Sequence, residues 1–214
     1  MINCLLVMTK ITKIGFDLDG VLARHYLDCF WFKVRRKKEK KATAASPKYF
    51  YPKNRLERFI LAVIKRSRKI SSSNQKKIKA LSSRGDIKIY LVTARFSFLQ
   101  KLTLEWLMRN KLLGCFSQIF INEKDQDPVC FKSSVIDSHQ LDVFIDDDLE
   151  VLKRLALSTK ARLVWLVPSW RKIKENDHHQ IVAVNSIDNI IGSIKFGNVD
   201  IDKKVFPSQK PETD

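Results

Sequence analysis

The feature that most restricts the fold is a series of short, continuously apolar runs separated by amphipathic segments. Ile87–Thr93 (IKIYLVT), Ser117–Asn122 (SQIFIN), Leu141–Ile145 (LDVFI) and Ala161–Val167 (ARLVWLV) read as strands, preceded by a first strand over Ile11–Ile14. Between them Asn74–Arg84, Ser97–Asn110, Lys132–His139 and Asp148–Leu157 read as helices, the first stopped by Gly85 and the strand series closed by Pro168. Strands that are apolar on both faces need cover on both faces, and intervening helices supply the crossovers that parallel strands require. The expectation is an α/β fold: a Rossmann-like three-layer sandwich around a parallel central sheet.

A chain of 214 residues can hold one sizeable domain of this kind plus a small insertion. Its net charge is +17, which asks for an anionic partner such as a phosphate ester, nucleic acid or an acidic membrane face. That charge is concentrated. Arg24–Lys69 holds 16 Lys and Arg against three acids, Asp28, Glu39 and Glu57. The chain therefore divides into a core (1–23 and 71–200), a basic, aromatic-rich helical insert (24–70) and a loose tail (201–214). Cys4, Cys29, Cys115 and Cys130 show no disulfide or metal-ligand spacing, as in a reducing compartment. The opening MINCLLVMTK is too short and too weakly apolar for a signal peptide or a membrane span. Met8 offers a second start just before the first strand. The expected location is cytoplasmic, with peripheral membrane contact through the insert.

Polar groups stand where the strands run out. Asp17 and Asp19 follow the first strand in GFDLDGVL, Thr93 ends IYLVT, and Asp146, Asp147 and Asp148 follow VFI. In an open parallel sheet, ligands bind beyond the carboxyl ends of the strands, so these groups are expected in one crevice. A calcium-loop reading of Asp17–Asp19 fails, because position 6 is Leu22 rather than glycine and position 12 is Asp28 rather than glutamate. Acids are favoured at helix N-termini, but three in a row exceed what capping needs and call for a cation. Oxygen ligands of this kind suit Mg²⁺.

The order of these groups resembles the haloacid dehalogenase-like (HAD) hydrolase superfamily in its phosphatase form. Its aspartate pair after an apolar strand matches GFDLDGV, its strand-end threonine matches IYLVTAR, its lysine opening a helix matches Lys132 in CFKSSVI, and its acidic pair matches VFIDDDLEVL. The resemblance spans about residues 11–168, with the insert where the superfamily carries its variable cap. It implies Asp17 as nucleophile and Asp19 as proton shuttle. It further implies Mg²⁺ held by Asp17, the Asp19 backbone carbonyl and Asp147, supported by Asp146. Thr93, Ala94 and Lys132 would bind the phosphoryl group of a phosphorylated substrate. Lys124 is an alternative to Lys132, and the choice among Asp146, Asp147 and Asp148 is open by one position. Asp19 is missing from the founding dehalogenases, so its presence favours phosphoryl chemistry over carbon–halogen cleavage. A phosphomutase and a non-catalytic binding module on the same scaffold are the alternatives.

Within the insert, Leu56, Phe59, Ile60, Val63 and Ile64 follow one helical face flanked by Arg55, Arg58, Lys65, Arg66 and Arg68. Tyr26, Leu27, Phe30, Trp31 and Val34 form a second stripe. Three uses compete: two cap helices packed on each other and on the core, an amphipathic pair on an anionic membrane, or a clamp for RNA or DNA with Trp31, Tyr49 and Tyr51 stacking on bases. His178 and His179 read as solvent-exposed, and Trp165 and Trp170 as packing residues.

Overall fold

The computed structural model describes residues 10–24, 51–52, 54–168 and 181–193. Six strands form one sheet: β1 (Thr12–Phe16), β2 (Ile87–Thr93), β3 (Gln118–Ile121), β4 (Val143–Asp146), β5 (Arg162–Leu166) and β6 (Ile181–Val184). Their order is β3-β2-β1-β4-β5-β6, and every neighbouring pair is parallel. The helices are α1 (Arg55–Arg66), α2 (Ser72–Ser82), α3 (Gln100–Arg109), α4 (Pro128–His139), α5 (Leu149–Leu155) and α6 (Ile187–Ser193). The expected Rossmann-like α/β sandwich with a parallel sheet is what the chain forms.

Apolar side chains leave the strands alternately to two cores. Ile87, Ile89 and Leu91 of β2 join Ile14, Phe16, Val143 and Ile145 beneath α2, α3 and α6. Tyr90 and Val92 of the same strand join Phe144, Leu163 and Trp165 beneath α4 and α5. Both faces of β2 are thus buried from Ile89 onward, which is why it reads as an unbroken apolar run there, with only Lys88 exposed. Gly15 has a packing reason within β1: a Cβ there would meet the Leu141 and Phe144 side chains at 2.7 and 2.8 Å.

Several boundaries differ from expectation. The first strand begins at Thr12 and runs on to Phe16, carrying Asp17 to the sheet edge. Helix α4 starts at Pro128, four residues before Lys132, because Asp127 caps it by accepting from the Val129 and Cys130 amides and proline fits the first turn. Lys132 therefore lies one turn inside the helix rather than opening it. Gly85 does not stop α2: the helix ends at Ser82 with Ser83 in right-handed conformation, its start capped by Ser71. The series does not close at Pro168 either. The short run Ile181–Val184 adds β6, tied on by the Val167 amide donating to Val184 O at 2.8 Å.

Of the insert, the described part is Arg24, residues 51–52 and 54–70, so the Tyr26–Val34 stripe and Tyr49 lie outside the described residues, as do Trp170, His178, His179 and the tail. The insert's two ends are pinned together: Arg24 and Lys69 exchange two backbone hydrogen bonds of 2.9 Å. Among the described residues no helix is long and apolar enough to cross a membrane, and Cys115 and Cys130 are free thiols.

Candidate active site

Chain order reverses between β1 and β4: the chain leaves β1 for β2 on one side and returns to β4 on the other. The crevice beyond their carboxyl ends is therefore the switch point where a ligand is expected. Asp17 sits directly past β1, fixed by its amide donating to Ile145 O at 2.9 Å. Asp146 is the last residue of β4 and Asp147 follows it. Carboxylate oxygens of Asp17, Asp146 and Asp147 all lie within 4.8 Å of one another. Asp148 is turned away to cap α5, accepting from the Glu150 and Val151 amides. Of the three consecutive acids, Asp146 and Asp147 thus converge with Asp17 and Asp148 does not.

Gly20 makes room for this cluster. It has φ +85°, a left-handed conformation, and a Cβ there would fall on the Asp147 carboxylate. The Asp147 backbone is held from the other side, where buried Trp165 donates Nε1–H to its carbonyl at 3.1 Å. Trp165 is thus a packing residue, as its sequence context suggests.

One cation sits inside the cluster. Lys132, 4% exposed, donates to Asp146 Oδ2 at 2.6 Å and lies 3.1 Å from Asp17 Oδ1. Its ammonium lies over the Phe144 ring, 5.7 Å from the centroid. Lys124, the alternative, is exposed in the turn before α4. Burial would lower the Lys132 ammonium, but Asp146 and Asp17 together hold it well above its ordinary value. Burial pushes the Asp17 carboxyl up to about 7, against the pull of Lys132 and with the push of Asp146. Asp147 is raised well above the usual carboxylate range by burial and then by Asp146 and Asp17. Two buried carboxylates and a half-buried third against one lysine leave a deficit of positive charge. Such a hard-oxygen donor set fits a divalent metal ion.

Asp19 has a different environment. Arg95 grips it with both prongs, Nη2 to Oδ1 at 2.7 Å and Nε to Oδ2 at 3.0 Å. Lys65 reaches Oδ2 at 2.7 Å from α1, and Arg68 lies 3.4 Å from Oδ1. Burial would raise this carboxyl, but Arg95, Lys65 and Arg68 hold it well below the ordinary range. Its side chain is not among the three that converge. Thr93 ends β2 two residues beyond the Phe16–Leu91 level, buried, with its Oγ1 accepting from the Arg95 amide at 3.4 Å. Ala94 follows it at the same edge, half-buried.

Sequence reasoning assigned no role to Arg95 and read Lys65 and Arg68 only as cations flanking the apolar stripe of the insert. Arg95 was within reach, since it stands in the quoted IYLVTAR beside Thr93. For Lys65 the signal is its position on α1, half a turn around from the Leu56–Phe59–Ile60–Val63 stripe.

No family model matches the chain, and no curated protein matches it by sequence. Solved structures do. A Bacillus subtilis protein described as a HAD-hydrolase, YfnB, bound to magnesium, aligns with TM-score 0.60 and 14% identity over 86% of this chain and 98% of its own. An L-2-haloacid dehalogenase aligns at 0.58 and 10% over 86% and 98%. A haloacid dehalogenase-like family hydrolase from Xanthomonas campestris aligns at 0.51 and 11% over 83% and 92%. The fold is that of the HAD-superfamily hydrolases, in agreement with the resemblance that the motifs carry.

Proposed function

We propose that the chain is a Mg²⁺-dependent phosphomonoester hydrolase that works through an aspartyl-phosphate on Asp17. The observation that carries this reading is the convergence of Asp17 and Asp146, both buried and both in contact with Lys132, with half-buried Asp147 at the switch point of the sheet. A scaffold with no chemistry would gain nothing from crowding three carboxylates, two of them buried, against one cation, since an unpaired buried ion costs several kcal/mol. The residues that would hold Mg²⁺ are Asp17, Asp147 and the Asp19 carbonyl, with Asp146 in support; the ion supplies charge that offsets repulsion between nucleophile and phosphate.

The chain's own groups account for the remaining steps. An Asp17 oxygen attacks phosphorus, forming the P–O bond as the bond to the leaving oxygen breaks. Thr93, Ala94 and Lys132 bind the phosphoryl oxygens, Lys132 as a point charge. Asp19 gives its proton to the leaving oxygen. It then takes one from the water that attacks phosphorus and frees Asp17. In the arrangement described, Asp19 is ionised and clamped. The acid step therefore requires the three cations to be drawn off it, by an incoming phosphate that competes for them, so that Asp19 takes up a proton from solvent before it gives one to the leaving oxygen. Presence of Asp19 favours this chemistry over carbon–halogen cleavage.

Phosphate release from a panel of phosphoesters with Mg²⁺, for wild type and Asp17→Asn, tests the reading. Wild type should turn over and the variant should lose at least ~10³-fold in kcat. Equal activity in both would remove Asp17 as nucleophile.

A further inference from the structure

Helix α1 is amphipathic in the reverse sense from a helix that covers a core. Its 12 residues include none that is buried. Leu56, Phe59, Ile60 and Val63 are 67, 66, 45 and 51% exposed, and they share one face. The face toward the sheet instead carries Lys65, bound to Asp19, and Arg58. Arg58 donates to Pro52 O at 3.3 Å and lies 5.4 Å from the Tyr51 ring centroid and 5.6 Å from that of Phe98. These contacts fix the roll of the helix. Turning the apolar stripe inward would break the Lys65–Asp19 ion pair and strand Asp19 with less of its countercharge.

From this geometry we infer that α1 is a docking face for an anionic lipid membrane. An exposed apolar stripe of this size on a monomer marks a surface that is covered in use. Its surroundings select the partner. Arg55 and Arg66 flank the stripe and Lys69 follows it, all exposed. The whole Arg24–Lys69 segment carries a net +13, from 16 bases and three acids. Two copies meeting through this face would bring Arg55, Arg66 and Lys69 of each together, which opposes a homodimer. Nucleic acid would engage the bases, but four of the stripe's positions offer it one aromatic ring, Phe59, and three aliphatic side chains that do not stack. A bilayer with anionic headgroups meets both features, taking up the apolar side chains and attracting the flanking cations. With the helix ~10 Å across, docking places Asp19 about one helix diameter from the lipid. This inference concerns a surface and stands apart from the phosphatase reading.

The test uses the full chain. It is mixed with phosphatidylcholine vesicles and with vesicles that also contain phosphatidylglycerol, and pelleting is measured. Binding to the anionic vesicles, weakened by salt and reduced at least ~10-fold by the double variant Phe59→Ser/Ile60→Ser, is expected. The same variant should keep the wild-type melting temperature. No pelleting with anionic vesicles would overturn the inference. So would pelleting that the double variant leaves unchanged, or RNA binding at low salt without vesicle binding. A dimer in solution that the double variant dissolves would assign the face to a second copy. A large fall in melting temperature would assign it to the protein's own interior. Either result also overturns the inference.

Discussion

Helix α3 turns Thr103, Trp106 and Leu107 into the core, whereas α1 turns Leu56, Phe59, Ile60 and Val63 outward and its cations inward. The two helices touch each other and both are amphipathic, α1 the more strongly. They differ in what lies underneath. Beneath α3 are Ile89, Leu91 and the side chains of α2, which reward apolar burial. Beneath the end of α1 is the half-buried carboxylate of Asp19, whose desolvation is offset by three cations, two of them from the insert. A buried charge without partners costs more than an exposed Phe loses, so electrostatics sets the roll of α1.

The sharpest way to break this contrast lies in the crevice itself. Lys132→Met removes the only cation among the described residues that touches both Asp17 and Asp146. Without metal it should cost about 3–5 kcal/mol in denaturant-unfolding stability, the cost of breaking a buried ion pair. A loss below ~1 kcal/mol would mean the carboxylates relax into solvent. Next come paired truncations on the two helices. Leu107→Ala in α3, fully buried, should cost about 2–5 kcal/mol. Leu56→Ser in α1, 67% exposed, should stay within ~0.5 kcal/mol. Similar losses from both would show that α1's stripe is interior.

Smaller and more diagnostic is the pH dependence of Asp17→Asn in metal-free protein. Burial raises the folded carboxyl from 3.8 to about 7, so its ionisation is disfavoured in the native state. Wild-type stability from this group is intact below the unfolded value and is lost as pH rises toward about 7. Asp17→Asn should therefore melt higher than wild type by a few degrees at neutral pH and above, with the gain shrinking toward pH 4. A divalent cation should raise the wild-type melting temperature and narrow or reverse that difference. A gain that grows toward acid pH would contradict the assigned shift.

The strand–helix alternation and the strand-end acids were legible because burial on both faces and sheet-edge chemistry leave local marks. β6 was missed because its four residues, IVAV, follow a long polar stretch and Pro168. Lys132 lies against Asp17 and Asp146, but its helix starts four residues earlier than the sequence reading placed it, since the Asp127-Pro128 cap signal was passed over. The clamp on Asp19 could not be read locally, because Lys65, Arg68 and Arg95 stand 46, 49 and 76 residues away in sequence.

What the sequence by itself determined is the architecture and the set of acids at its strand ends, since both follow from residue patterns a few positions long. Tertiary structure decided which acid joins which group. It put Asp17, Asp146 and Asp147 together, gave Asp148 to a helix cap, and locked Asp19 to the insert. It also decided which way α1 faces. A helical pattern shows that one face is apolar; only the neighbours across the chain fix whether that face or its opposite is buried.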